Sequence, residues 1–251
     1  MTTDKEKYRE GFGPFPPGFV KAEFNDINDV VEKVNSRTAA FLVEPVQGEG
    51  GINISSKEFM KTLSDLREDK KILIIFDEVQ CGMGRTGKWF AFQHYDIKPD
   101  IMTLAKSLGS GVPIGAIVAK KEVSEVLKPG DHGTTFGGNP LATSVGLTVM
   151  NTIESDKLIE NCKTMGDYLI KKLDFMRNVP NVKDIRGMGL MVGIEFEDLC
   201  SDFVKKCFDN NLLINCTRDK VIRLVPPLIV SKNEIDERSE EHTSELQSPN
   251  T

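Results

Sequence analysis

Ile72-Leu73-Ile74-Ile75-Phe76-Asp77-Glu78-Val79-Gln80 is the stretch on which the reading of the fold turns. No strictly apolar run in the chain is longer than Ile72 to Phe76, and two carboxylates follow at once. A run this short, bounded by Lys71 and Asp77, reads as a buried strand. Upstream, Ala39-Ala40-Phe41-Leu42-Val43 reads the same way and also ends on an acid, Glu44. Between the two lie a Gly-rich loop, Gln47 to Gly51, and a helical pattern with Phe59, Met60, Leu63 and Leu66 on one face. Ser55-Ser56-Lys57-Glu58 is the capping box expected to start that helix, with Ser55 as N-cap. Gly115 to Ala119 supplies a third strand. Strands alternating with helices predict an α/β domain with a mostly parallel sheet. Its ligands should bind beyond the carboxyl ends of the strands, where Glu44 and Asp77-Glu78 stand.

The pattern changes in the second half. Asn139-Pro140 should open a helix, since proline suits the first turn. A second helix is expected from Ser155, with Leu158, Ile159, Cys162, Met165, Leu169 and Leu173 as its apolar stripe. Leu190, Val192, Ile194 and Phe196 alternate as in a half-buried strand. Two more strands fit Leu212 to Cys216 and Val221 to Val225, divided by the turn Thr217 to Lys220. The expected organisation is a large domain over residues 1–150 and a smaller α+β domain over 151–237. Ser231-Lys232-Asn233-Glu234 is a further capping box, after which the apolar face stops. Residues 238–251 hold a single large apolar residue, Leu246, and Arg238 to Ser248 resembles a translated sequencing adapter. That tail is expected to be disordered.

Composition narrows the classes. With 32 basic against 38 acidic residues and a net charge of −6, the chain lacks the basic footprint of a nucleic-acid binder. Anionic ligands remain allowed, because they answer to local charge. No apolar run approaches the ~20 residues of a spanning helix, and the first residues lack the apolar core of a signal peptide. The 5 cysteines are odd in number and form no Cys-x-x-Cys pair, which argues against a disulfide framework or thiolate metal site. His94, His132 and His242 are too scattered to hold a metal. The expectation is a reduced, cytoplasmic protein without metal.

Two glycine patterns carry little. Gly82-Met83-Gly84-Arg85-Thr86-Gly87 matches G-x-G-x-x-G, yet Asp77 to Cys81 separate it from the strand and Lys88-Trp89-Phe90 starts a helix poorly. A nucleotide-binding α/β domain therefore stays only as an alternative. Arg186-Gly187-Met188-Gly189 reads as a tight turn before a strand. Asp77 and Lys106 say more. An acid at the end of a buried strand needs a cation or donors, and Arg85 is one candidate. Lys106 sits between the apolar Ile101 to Ala105 and the flexible Ser107-Leu108-Gly109-Ser110-Gly111. Burial there would depress its basicity and free the amine as a nucleophile. An acid to protonate a pyridine nitrogen and an amine to form a Schiff base are what pyridoxal phosphate requires. A solvated lysine and an N-capping or ion-paired acid satisfy the same residues.

Four blocks in order resemble one family. Phe41-Leu42-Val43-Glu44-Pro45-Val46-Gln47-Gly48-Glu49-Gly50-Gly51 is similar to the E-P-x-Q-G-E-G stretch of the class III (subgroup II) aminotransferases. Phe76 to Gly87 resembles their D-E-V-Q-x-G-x-G-R-T-G block, Asp100 to Lys106 their lysine motif, and His132 to Pro140 their phosphate-contacting loop. The similarity runs from about Lys7 to Glu237. Trp89 to Tyr95 and Leu213 to Cys216 look most like the branch acting on N-acetylornithine, with ornithine and succinylornithine enzymes close by.

The resemblance implies fold type I of the pyridoxal-phosphate (PLP) dependent transferases, and a role for each matching residue. Lys106 would hold the cofactor covalently and then move the proton from substrate Cα to the cofactor. Asp77 would pair with the pyridine nitrogen and Gln80 would bond near the ring hydroxyl, with Glu78 and Val79 completing the cofactor motif. Thr135 would bind the phosphate of the neighbouring subunit in a homodimer with shared active sites, and Thr134 would lie near substrate. Arg223 would bind a substrate carboxylate, and Glu49 would pair with Arg223 when the amino donor is bound. The substrates implied are N-acetylornithine and 2-oxoglutarate or glutamate. The family also carries an earlier phosphate loop, a ring-stacking aromatic and a second carboxylate-binding arginine that match nothing here. The chain is therefore expected to be an N-terminally truncated piece, with a non-catalytic, partner-binding chain as the alternative.

Overall fold

A computed structural model describes residues 8–237. Two four-stranded sheets organise them. The first comprises β1 (Ala40–Val43), β2 (Leu73–Asp77), β3 (Ile101–Leu104) and β4 (Ala116–Ala119), in that order. The β1–β2 and β2–β3 pairs are parallel, and β4 runs antiparallel to β3. The helix α1 (Ile27–Lys33) and helix α2 (Lys57–Lys70) pack Val30, Phe59, Met60 and Leu63 onto Ile74 and Phe76. A short α3 (Lys121–Ser124) follows β4. Ser56, and not Ser55, caps α2, accepting the Phe59 N–H at 3.0 Å. Ser55 stands one residue before the cap, its N–H donating to Pro45 O beside the Val46–Ile54 bridge and its buried Oγ without a partner among the described residues.

Helix α4 (Pro140–Ser155) starts as expected, capped by the Asn139 side chain on Ala142 N–H, and residue 150 lies inside it. Helix α5 (Leu158–Leu173) lays its apolar stripe on the second sheet, burying Leu169 and Leu173 against Ile185, Leu190, Ile194 and Ile222. That sheet is antiparallel throughout, in the order β5 (Val182–Met188), β6 (Met191–Phe196), β8 (Val221–Leu224), β7 (Asn215–Thr217). Helix α6 (Ser201–Asp209) connects β6 to β7. Strand β6 is buried on both faces, which corrects the half-buried reading. One face meets α5, and Gly193 on the other lies against Ile52, where a Cβ would stand 3.0 Å from the isoleucine Cβ. Arg186 and Gly187 belong to β5, and the tight turn itself is confined to the positive-φ Gly189 that leads into β6.

A cysteine expectation is also corrected. Cys200 and Cys216 form a disulfide, their Cα atoms 6.2 Å apart. The Cys200 N–H donates to Asp219 O, which pins the start of α6 beside the β7–β8 turn and brings the two sulfurs together. Among the described residues no helix is long and apolar enough to cross a membrane.

Asp100 ties the first sheet together. It is buried, accepts the Ile74 N–H at 2.8 Å, and pairs with Lys120 at 2.8 Å and Arg67 at 3.3 Å. Desolvation pulls its pKa up, but Lys120, the Ile74 N–H and Arg67 outweigh that and hold it below the usual carboxylate range. Its stabilisation is therefore complete above the unfolded pKa near 3.8 and is lost as pH falls through the lower folded value. Asp100→Ala strands a buried N–H and a half-buried guanidinium, and should cost about 2–4 kcal/mol at neutral pH. Urea unfolding at neutral and acid pH should show the deficit shrinking in acid.

Candidate active site

The carboxyl ends of β1 and β2 face a cavity of about 300 Å³, lined by Glu49, Val79, Gln80, Lys106, Ser107 and Arg223 among others. Each element delivers its residue for a local reason. Strand β2 ends at Asp77, whose Oδ1 accepts the Val79 N–H at 3.0 Å and the Thr103 hydroxyl at 3.4 Å. Strand β3 gives way to a 3-10 turn, Lys106–Leu108. Lys106 takes φ +43°, a left-handed conformation that a side-chain-bearing residue adopts at a cost. The turn is closed by Gly109, where a Cβ would stand 2.0 Å from Val112 O.

Lys106 is less basic than an ordinary lysine. Desolvation is the main cause, with Arg223 adding to it, while Glu44, Glu49 and Asp77 oppose it. Arg223, on β8, donates from Nη1 to Glu49 Oε1 at 2.6 Å and to Gln80 Oε1 at 3.1 Å. Its Nε donates to Asn215 Oδ1 at 3.3 Å. The loop bearing Glu49 is held to the second sheet by Arg186, which donates to Ile52 O at 3.1 Å and Gly51 O at 2.6 Å. Burial of Val46, Ile52 and Met191 in one cluster completes that bridge between the sheets.

The structure brings together Glu49, Val79, Gln80, Lys106 and Arg223, with Asp77 acting on Lys106 from the end of β2. It turns Glu78 elsewhere. That carboxylate is buried and accepts from Ala91 N–H at 2.9 Å, Phe92 N–H at 2.8 Å and the Cys81 thiol. Burial raises its pKa against those donors, and it holds the 91–94 turn in place and does not meet the cavity. Thr134 and Thr135 are exposed and are not among the residues lining that cavity, and Thr134 Oγ1 accepts the Gly137 N–H at 3.1 Å. Residues overlooked in the sequence are Glu44, noted only as a polar strand end, Asn215 and Ser107. Glu44 and Asn215 stand inside quoted blocks and Ser107 follows Lys106, but only contacts across the fold give them a part. Arg85 does not meet Asp77: it is buried and donates to Leu190 O at 3.1 Å and to Pro226 O. No α-helix follows Gly87, so the nucleotide-loop reading has no helix N-terminus to use.

The sequence profile of the Aminotransferase class-III family matches residues 1–244. The chain belongs to the class III aminotransferases. It is 54% identical over 239 residues to the acetylornithine aminotransferase of Methanocaldococcus jannaschii, covering 93% of this chain and 59% of that protein. With the acetylornithine aminotransferase of Aquifex aeolicus it shares 45% identity, covering 93% of this chain and 61% of the relative. This class III chain thus spans about 60% of the length of the curated relatives it matches. Among solved structures it superposes on the ornithine aminotransferase of Toxoplasma gondii with TM-score 0.92 at 36% identity, covering 97% of this chain and 59% of that one. That protein is described with partial occupancy of PLP at its active site. The acetylornithine aminotransferase of Elizabethkingia anophelis gives TM-score 0.85 at 34% identity, covering 94% of this chain and 62% of that one. The fold is accordingly the α/β type I fold of the PLP-dependent aminotransferases. The residues present fit that cofactor: an amine of lowered basicity and an amide side chain line one cleft of adequate size, with a carboxylate close by at the end of β2.

Proposed function

We propose that this chain contributes the lysine, the ring-nitrogen carboxylate and a carboxylate-binding arginine to an aminotransferase. The whole protein would exchange an amino group between N-acetylornithine, or a related ω-amino donor, and 2-oxoglutarate in arginine or lysine biosynthesis in the cytoplasm. The observation that carries this reading is the meeting, in one cavity, of the partly desolvated Lys106 with an Arg223 already engaged by a carboxylate. PLP, when bound, supplies an electron-accepting ring that stabilises negative charge at substrate Cα.

The chain's own residues do the rest. Lys106 Nζ would hold the cofactor and then carry the proton taken from substrate Cα, a task suited to an amine whose pKa lies below its ordinary value. Asp77, steadied by the Val79 N–H and the Thr103 hydroxyl, would keep the ring nitrogen protonated. Gln80 and Val79 would lie beside the ring. Arg223 would take a substrate carboxylate with its planar fork. Glu49 occupies that arginine in the meantime. Its side chain is 55% exposed against 13% for Arg223, so the glutamate can swing into water while the arginine stays in place. Thr134 and Thr135, exposed on their own loop, suit service to the neighbouring subunit of a homodimer.

Incubation with pyridoxal phosphate, borohydride reduction and peptide mapping test the reading. A stoichiometric adduct on Lys106 is expected. Labelling spread over exposed lysines such as Lys61, with none at Lys106, would overturn it.

A further inference from the structure

Arg223 has more donors than partners, and the way they are taken up limits how a carboxylate can reach it. A guanidinium offers five N–H groups and two edges with parallel pairs, one across Nε and Nη2 and one across Nη1 and Nη2. Nε is engaged by Asn215 Oδ1 at 3.3 Å. Nη1 serves Glu49 Oε1 at 2.6 Å and Gln80 Oε1 at 3.1 Å, one acceptor for each of its hydrogens. Nη2 has no partner among the described residues.

The sheet places Asn215 for this contact. It is registered opposite Arg223 across the β7–β8 pair, so both side chains stand on one face. On the other flank, β6 presents Gly193 opposite Arg223, with no side chain to compete. Strand β7 is three residues long and lies at the edge of the sheet, yet its middle residue, Cys216, is tied by the disulfide to Cys200. Asn215 is thus held in register although the residue is exposed.

We propose that Asn215 is a positioning residue that closes the Nε–Nη2 edge of Arg223, so that a substrate carboxylate binds end-on across Nη1 and Nη2 once Glu49 leaves. The inference rests on the proposed function for Arg223 as the carboxylate site. Of the three partners only Glu49 carries charge, so it alone competes electrostatically with an incoming carboxylate. Its departure frees one Nη1 hydrogen beside the two of Nη2, while the neutral amides of Asn215 and Gln80 keep the fork oriented. End-on pairing lets the ligand continue the long axis of the arginine away from β8. Side-on pairing would lean it towards β7, where Asn215 stands.

Side-chain NMR of the whole chain without cofactor tests this, with glutarate as the probe and Arg223 signals assigned by their loss in Arg223→Lys. Glutarate should shift the Nη resonances of Arg223 and leave its Nε–H in place. In Asn215→Leu, which removes the acceptor at an exposed position, Nε–H should exchange with solvent about fivefold faster or more, and glutarate should now shift it. Asn215→Asp keeps an acceptor and should restore the slow exchange, which a merely structural role for the residue would not predict. Glutarate that moves Nε–H of the unsubstituted chain as far as Nη overturns the inference and leaves Arg223 as a carboxylate site. Glutarate that moves neither overturns that site and the inference together, whatever the cofactor adduct at Lys106 shows. Unchanged Nε–H exchange in folded N215L removes Asn215 from the role. Should N215L not fold, the titration of the unsubstituted chain decides which edge is used.

Discussion

Lys106→Ala should reduce borohydride-trapped pyridoxal phosphate to the background of exposed lysines, the largest functional effect expected of any single substitution. The argument is geometric before it is electrostatic. Lys106 is the lysine that lines the cavity shared by Val79, Gln80 and Arg223, and its backbone is held at φ +43° by the turn after β3. An amine reacts only when unprotonated, and desolvation moves the Lys106 pKa down towards working pH. Trapping in the wild-type chain should therefore rise with pH through a midpoint below that of exposed lysines. Lys106→Arg keeps the charge but not the chemistry, because a guanidinium stays protonated. It should trap no better than alanine while preserving the interactions with Glu44 and Glu49. In the whole protein, where amine and proton carrier are lost together, transamination should fall by about 10⁴-fold or more. Adduct yields in both variants matching the wild type would refute the role.

Gly166→Ala should be among the most destabilising single-methyl changes in the described residues. A Cβ at Gly166 would lie 2.2 Å from Gly189 O, on the turn between β5 and β6. No rotamer change relieves a clash with backbone. Gly189 cannot retreat either, because it is itself packed on the 82–87 loop, where its own Cβ would stand 2.6 Å from Thr86 C and 2.7 Å from Arg85 O. The layer is further stitched by Leu190 N–H, 3.1 Å from Arg85 O and 3.3 Å from Cys162 Sγ. Forced separation of α5 from the hairpin should cost about 3 kcal/mol, at the upper end of overpacking penalties. For a chain of this size that corresponds to a fall in Tm of roughly 6–12 °C. Differential scanning calorimetry would read it directly, and a loss under about 2 °C would show that the interface yields.

Much of the first sheet was legible because its strands are short apolar runs closed by charged residues. The runs at 39–43, 72–76 and 115–119 became β1, β2 and β4 within a residue or two. Ile101 to Ala105 reads only as an apolar approach to Lys106, although it contains β3, since a short apolar run looks the same in a strand or a buried helix. Strand β5 was missed for a different reason. Lys183, Asp184 and Arg186 interrupt its apolar pattern, and a register shift between Val182 and Asp184 breaks the alternation. The disulfide escaped because cysteine spacing carries no information on which chain segments fold together. Within the site, Lys106, Asp77, Gln80, Glu49 and Arg223 could be named from motif order. Glu44 and Asn215 lie in the same quoted blocks, but their part shows only through what each faces.

The sequence by itself determined the α/β class, the order of the chemistry-bearing blocks and the family to which they belong. These are local properties, written in periodicity and in the spacing of residues along one segment. Only the tertiary structure decided which of those residues meet. Glu49 and Arg223 are 174 positions apart and lie 2.6 Å from one another. Arg186 reaches Gly51 across 135 positions. Both contacts depend on sheet register and on the buried cluster of Val46, Ile52 and Met191 that seats one sheet's loop on the other. Register is set by packing between faces, and a one-residue slip would turn Arg223 to the opposite face of its sheet.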